Sequence, residues 1–180
     1  MIPAPTTLAA LFVLAAAVPA LQAQSPPPAP AHIVSTFRFT LAAPLARVAP
    51  LFGPEGERAW AGKPWNPVFL YPQTAKDTEG AVFTVQHGPH TSVWVNTVFD
   101  LAAGRMQYVS LIPDVLVSLI DVHLTAAGSS HTTVEVTYAR TALNAGTNAI
   151  VESMGAQDRT SGSAWKKAIE ATLGLPPASR

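Results

Sequence analysis

Asn144-Ala-Gly-Thr-Asn-Ala-Ile-Val-Glu-Ser-Met-Gly-Ala-Gln-Asp158, continued by Arg159-Thr-Ser-Gly-Ser-Ala-Trp-Lys-Lys-Ala-Ile-Glu-Ala-Thr-Leu173, carries the pattern on which the fold turns. Ile150, Met154, Trp165, Ala168, Ile169 and Leu173 recur near helical spacing, which predicts one long helix with a buried face. Asn144 or Thr147 suits its start, and Gly174 with Pro176-Pro177 suits its end. The apolar stripe breaks at its centre, where Gln157, Asp158, Ser161 and Gly162 stand in place of Leu or Ile. Gly155 and Gly162 each cost a helix about 1 kcal/mol relative to Ala. Small and polar residues at these positions predict that the space beneath the helix is partly open.

Outward from the helix, the chain before it reads as strands. In His131-Thr-Thr-Val-Glu-Val-Thr-Tyr138, Val134, Val136 and Tyr138 share one face, and Thr133, Glu135 and Thr137 share the other. That alternation predicts a sheet with one face covered and one wet. Further strands are expected at Val68–Tyr71, Ala81–His87, Thr91–Asp100, Arg105–Ile112, Val115–Ala126 and His131–Leu143. Turn signals separate them at Gly88-Pro89, Ala103-Gly104, Pro113-Asp114 and Gly128-Ser-Ser130. The short spacings predict an antiparallel meander. A first strand is expected over Ile33–Leu41, with Ser35, Phe37, Phe39 and Leu41 on one side. Two brief helices follow it, Pro44–Phe52 and Pro54–Trp60, the first limited by Pro50.

The segment before this domain reads as an address. Leu8–Val18 is an apolar run followed by Pro19-Ala-Leu-Gln-Ala23, which fits a cleaved export signal over 1–23. Cleavage is expected after Ala23, with Ala20 second. The run is shorter than the ~20 residues a membrane span needs. Pro3, Pro5 and Pro19 disfavour a buried helix there. Residues 24–31, with Ser25-Pro-Pro-Pro-Ala-Pro-Ala31, read as an extended spacer. The domain is expected over 32–175, followed by a tail at 176–180, and the protein is expected to be periplasmic or secreted.

Composition excludes several classes. With 11 Lys plus Arg against 11 Asp plus Glu, the formal charge is zero, so a basic nucleic-acid binder is not expected. No cysteine is present, which leaves no disulfide framework, thiolate metal site, cysteine nucleophile or lipid-anchored cysteine. His87-Gly-Pro-His90, Asp121 and His123 invite a metal reading, but zinc needs three or four converging ligands and nothing brings His123 to the others. Asp121 and His123 have the period-two spacing of a base and its orienting partner, on a strand face that the pattern leaves undecided. Ser153, Ser161 and Ser163 lack a nucleophile-elbow context, and no phosphate-binding loop is present. Arg38, Arg105 and Arg140 sit on strands, as surface charges or as one that orients a polar ligand group. No metal or cofactor is expected.

The order of elements, strand, two short helices, six strands and a long helix, resembles the START-like (SRPBCC) superfamily over roughly 32–173. Phe52-Gly-Pro-Glu-Gly-Glu-Arg-Ala-Trp60, Trp65-Asn-Pro-Val-Phe-Leu70, Thr91-Ser-Val-Trp94 and Gly104-Arg-Met-Gln-Tyr108 are similar to segments of exported bacterial members. The resemblance implies an α+β helix-grip fold, in which a curved antiparallel sheet of about seven strands is crossed by the C-terminal helix. It also implies a hydrophobic pocket between the two. Phe52, Trp60, Trp65, Phe69, Trp94, Tyr108, Tyr138, Met154, Asp158 and Trp165 are the residues expected near that pocket. The leading expectation is a monomeric carrier of one small hydrophobic or amphipathic molecule. A cyclase- or aromatase-type enzyme is the alternative, with Asp158, Asp121, His123 and Tyr138 as its candidate ionisable groups. A ligand-free interaction module is the third reading.

Overall fold

The computed structural model describes residues 28–176, so the expected export signal, residues 24–27 of the spacer and residues 177–180 lie outside the described residues. The described residues form one seven-stranded antiparallel sheet. Its strands are β1 (His32–Leu41), β2 (Val68–Tyr71), β3 (Val82–His87), β4 (His90–Asp100), β5 (Arg105–Ile112), β6 (Leu116–Ala126) and β7 (Thr132–Ala142). Spatial order is β1-β7-β6-β5-β4-β3-β2, so the meander β2 to β7 is closed by the first strand pairing with the last. The helix-grip expectation holds.

This order explains the short helices. The chain leaves β1 at one edge of the sheet and must reach β2 at the other, roughly 29 Å away at about 4.8 Å per strand. It crosses as α1 (Leu45–Val48) and two 3-10 turns, Ala49–Phe52 and Gly56–Ala59. Pro50 and Pro54 keep these pieces to a single turn each. Val48, Ala49 and Phe52 bury completely or nearly so against the concave face, with Leu41, Met106, Leu124 and Ile169.

One expectation about the C-terminal element is corrected. The single helix over 144–173 is two, α2 (Asn148–Asp158) and α3 (Gly162–Leu173), preceded by a 3-10 turn at Ala145–Thr147. The break has a local cause. The Thr160 and Ser161 hydroxyls both donate to the Gln157 carbonyl, at 2.9 and 3.0 Å, and so compete with the helical ladder. The Thr160 and Ser161 amides then bond three residues back instead of four.

The stripe is also rotated from the one expected. Ile150 is exposed, and Val151 and Gly155 face β1 instead. The two glycines mark close approach, not vacancy. A Cβ on Gly155 would lie 2.5 Å from Ile33 Cγ2, and one on Gly162 would lie 3.2 Å from a Phe37 ring carbon. Ser35 Oγ locks the first contact by donating to the Gly155 carbonyl at 2.9 Å. The helices are therefore pressed onto β1, and open space lies further along the sheet. Chain entry is tied to the same helix: Asn148 Oδ1 accepts from the Ala31 amide at 2.7 Å, and its Nδ2 donates to the Ala29 carbonyl at 3.0 Å.

Candidate functional site

Between the concave faces of β4–β7 and the helix pair lies a cavity of about 750 Å³. Its floor is read from the register. Tyr108, Ile120 and Tyr138 form one transverse row, and Trp94, Ser110, Ser118 and Arg140 form the next. Ile112 and Leu116 extend the floor one row further. The walls are Trp165, Ala164 and Ala168 of α3, Met154 and Gln157 of α2, and Glu57, Trp60, Ala61, Pro64 and Trp65 of the crossing segment.

The serine-arginine row is the polar lane of an otherwise apolar floor. Arg140 is buried and grips the buried Asp158 with two bonds, Nε to Oδ2 at 2.7 Å and Nη2 to Oδ1 at 2.9 Å. Nη1 donates to Ser118 Oγ at 2.8 Å. A bidentate guanidinium-carboxylate pair with a third bond is the geometry that offsets burying both charges. It also ties β7 to the end of α2. The Arg140 guanidinium lies 4.3 Å from the Tyr138 ring centroid, in cation-π range. Burial pushes the Tyr138 phenol well above its ordinary range, against the lowering effect of Arg140, so it stays a neutral donor and acceptor.

The opposite end is built by the crossing segment and the loop before β3. Asp77 accepts the Glu55 and Gly56 amides at 2.8 and 3.1 Å and so holds the turn that carries Glu57 and Trp60. Asn96 of β4 anchors that loop, with Nδ2 donating to the Thr78 carbonyl at 3.1 Å. In a 3-10 turn positions i and i+3 align, which sends Glu57 and Trp60 to the same side, the cavity. Glu57 is crowded by protein atoms, and the surface it retains is part of the cavity wall. Burial, and then the Asp77 charge, raise its carboxyl well above the usual carboxylate range. Asp77 is raised too, by burial first, although the two amides it accepts pull it back down. Tyr108 OH donates to the Phe52 carbonyl, and burial with the Glu57 and Asp77 charges keeps that phenol protonated.

Of the residues expected near a pocket, Trp60, Trp65, Trp94, Tyr108, Tyr138, Met154 and Trp165 line this cavity. Three do not. Phe52 is fully buried beneath Trp60 and Trp165, at ring distances of 6.0 and 6.5 Å, and serves the core. Phe69 sits on the edge strand β2 against Phe83, 5.6 Å between centroids. Asp158 stands behind the wall and is spent on Arg140. Asp121 and His123 lie on the outer face of β6, where Asp121 accepts from Gln107 Nε2 at 3.0 Å. The ionisable set named for an enzyme therefore does not converge, since only Tyr138 of the four reaches the cavity. His87, at the mouth, has its proton affinity lowered by partial burial of its ring. Among the described residues no three His, Cys, Asp or Glu side chains come together to hold a metal.

Glu57, Ser110 and Ser118 are polar lining that sequence reasoning did not single out, whereas Arg140 is the one of the three strand arginines, with Arg38 and Arg105, that reaches the cavity. Arg140 was legible: it continues the inward parity of Val134, Val136 and Tyr138 by one more step. Ser118 likewise sits in step with Leu116, Ile120 and Val122.

No family model matches this sequence, and no curated protein matches it. Solved structures do. Norcoclaurine synthase from Thalictrum flavum, in complex with dopamine and hydroxybenzaldehyde, is similar with a TM-score of 0.58 at 11% identity, over 79% of this chain and 88% of that one. A hypothetical protein from Helicobacter pylori is similar at 0.61 and 10% identity, over 77% and 86%. CalU16 from Micromonospora echinospora is similar at 0.52 and 16% identity, over 82% and 85%. The fold is the helix-grip fold. In this helix-grip domain the cavity lies under the grip, displaced toward β4–β7 because the glycines seat the helices on β1. Among the described residues no helix is long and apolar enough to cross a membrane.

Proposed function

We propose that this protein binds one small hydrophobic or amphipathic molecule in the cavity. The observation that carries the reading is the cavity itself. Its volume of about 750 Å³ falls within the ~300–1,000 Å³ of small-molecule sites. It is walled by four tryptophans, two tyrosines and aliphatic side chains, with a short polar lane that could orient one acceptor group. Apolar lining supplies affinity by area, and a few fixed polar groups supply orientation. The helix-grip likeness supports the same reading. We also propose that the protein is exported, on the strength of the Leu8–Val18 run and the small residues after it.

Native mass spectrometry of the purified protein tests the binding reading, together with titration of neutral naphthalene derivatives followed by tryptophan fluorescence. Binding should be saturable and of one-to-one stoichiometry. Ser110→Phe directs a ring from the floor into the cavity and should abolish it while the fold is retained. Unchanged binding by Ser110→Phe, or no saturable binding by the wild type, overturns the reading.

A further inference from the structure

The two ends of the cavity differ in chemistry. At the polar lane, Ser110, Ser118 and Arg140 offer donors. At the end formed by the crossing segment every donor is already spent. Trp60 Nε1 donates to the Leu51 carbonyl at 2.7 Å, and Trp65 Nε1 donates to the Pro54 carbonyl at 2.9 Å. Tyr108 OH is committed to the Phe52 carbonyl. What these residues present to the cavity is ring carbon.

Among them stands one carboxyl, Glu57, which has no hydrogen-bond or ion-pair partner among the described residues. Arg58, next in the chain, is held away by Glu55 and Asn66 at 2.8 Å each and by the Pro67 carbonyl. Arg140, the cation on the cavity floor, is matched by Asp158. A crowded carboxyl without a counter-charge is a cost to the free protein, and a neutral side chain of similar size would fit the wall without it.

Resting on the reading of the cavity as a ligand site, we propose that this end is a subsite for a protonated amine carried on an apolar body. The Glu57 carboxylate pairs with the ammonium, and the rings of Trp60, Trp65 and Tyr108 surround it. Ion pairing and ring quadrupoles act together here, away from bulk water. An anionic head group at the same place would meet the Glu57 and Asp77 carboxyls with no cation and no free indole N–H or phenol to offset them. The groups facing Glu57 are Asp77 from the loop before β3, Tyr108 of β5 and Tyr138 of β7, with His87 at the mouth. None of these is a cation at neutral pH. Burial raises the proton affinity of the Glu57 carboxyl and pairing with an ammonium lowers it, so amine binding is coupled to release of a carboxyl proton to buffer.

Calorimetric titrations at pH 7 with naphthylethylamine, naphthylethanol and naphthylacetate test this, each run in two buffers of different ionisation enthalpy. In the wild type the amine should bind at least about tenfold more tightly than the alcohol, with proton release, and the acetate should bind least. Glu57→Gln should lose the amine's advantage over the alcohol and the proton release, and a cooperative melting transition shows that the variant is folded. Equal binding of amine and alcohol to the wild type overturns the subsite while leaving the ligand cavity standing. An amine preference that survives in Glu57→Gln overturns it as well. Absence of binding by all three compounds overturns both readings together.

Discussion

Gly155→Ala isolates the contact that seats the helices on the sheet. The added Cβ would lie 2.5 Å from Ile33 Cγ2 and 3.3 Å from Ser35 Oγ. Carbons pack at about 3.5–4.0 Å, so the first contact is about 1 Å too short and α2 must lift from β1. Overpacking of this kind costs about 1–3 kcal/mol. Lifting α2 also stretches the bond from Ser35 Oγ to the Gly155 carbonyl, worth about 1 kcal/mol. Against these stands the helix-propensity gain of Ala over Gly, about 1 kcal/mol. The net expectation is a loss of about 1–3 kcal/mol. Gly162→Ala is the internal control: its Cβ meets a Phe37 ring carbon at 3.2 Å, a distance a small ring shift relieves, and it should stay within about 0.5 kcal/mol of wild type. Urea unfolding followed by tryptophan fluorescence reads both, with an unchanged slope and a lower midpoint for Gly155→Ala. Ile33→Ala in the Gly155→Ala background should cost about 1 kcal/mol less than the sum of the single changes. Gly155→Ala at or above wild-type stability, or strict additivity with Ile33→Ala, would refute the close-approach explanation and return the glycines to the role of an unfilled stripe.

Three further outcomes are expected. Asp158→Ala strands the buried Arg140 guanidinium and should cost about 3–5 kcal/mol, or about 6–20 °C in melting temperature. Arg140→Met with Asp158→Leu should recover most of that loss by calorimetry, and a fall of under about 2 °C for Asp158→Ala would contradict the pairing. Glu57 binds its proton more tightly in the folded than in the unfolded chain, so its contribution is neutral below the ordinary glutamate range, becomes a growing cost as pH rises from that range toward the raised folded value, and levels off above it. Melting curves at pH 5 and pH 8 should therefore show Glu57→Gln gaining on wild type at the higher pH; a gap that closes instead would reverse the sign of the argument. Tyr108→Phe leaves the Phe52 carbonyl without its buried donor and should cost about 1–3 kcal/mol, with faster amide exchange in the turn at residues 49–52.

The strands and their inward faces were legible because period-two alternation is a local property. Val134, Val136 and Tyr138 announce the concave face of β7, and the same count carried one step further places Arg140 inside. Its partner was not legible, since Asp158 meets it only where α2 stops, and that stop depends on hydroxyls bonding back to Gln157. Glu57 was hidden for a different reason. An acid in the first turn of a short helix reads as a solvated charge, and only the crossing from one sheet edge to the other turns that residue inward.

The glycines carry the sharper lesson. A missing side chain is equally consistent with a void and with a neighbour already in the space, and what decides is the position of the facing strand. Here the facing strand is β1, so Gly155 and Gly162 close one side of the grip. The sheet continues to curve through β7, β6, β5 and β4 while the helices remain fixed at β1. The opening beneath them is thus a consequence of where contact is tightest, and loosening Gly155 should change the shape of the cavity as well as the stability of the domain.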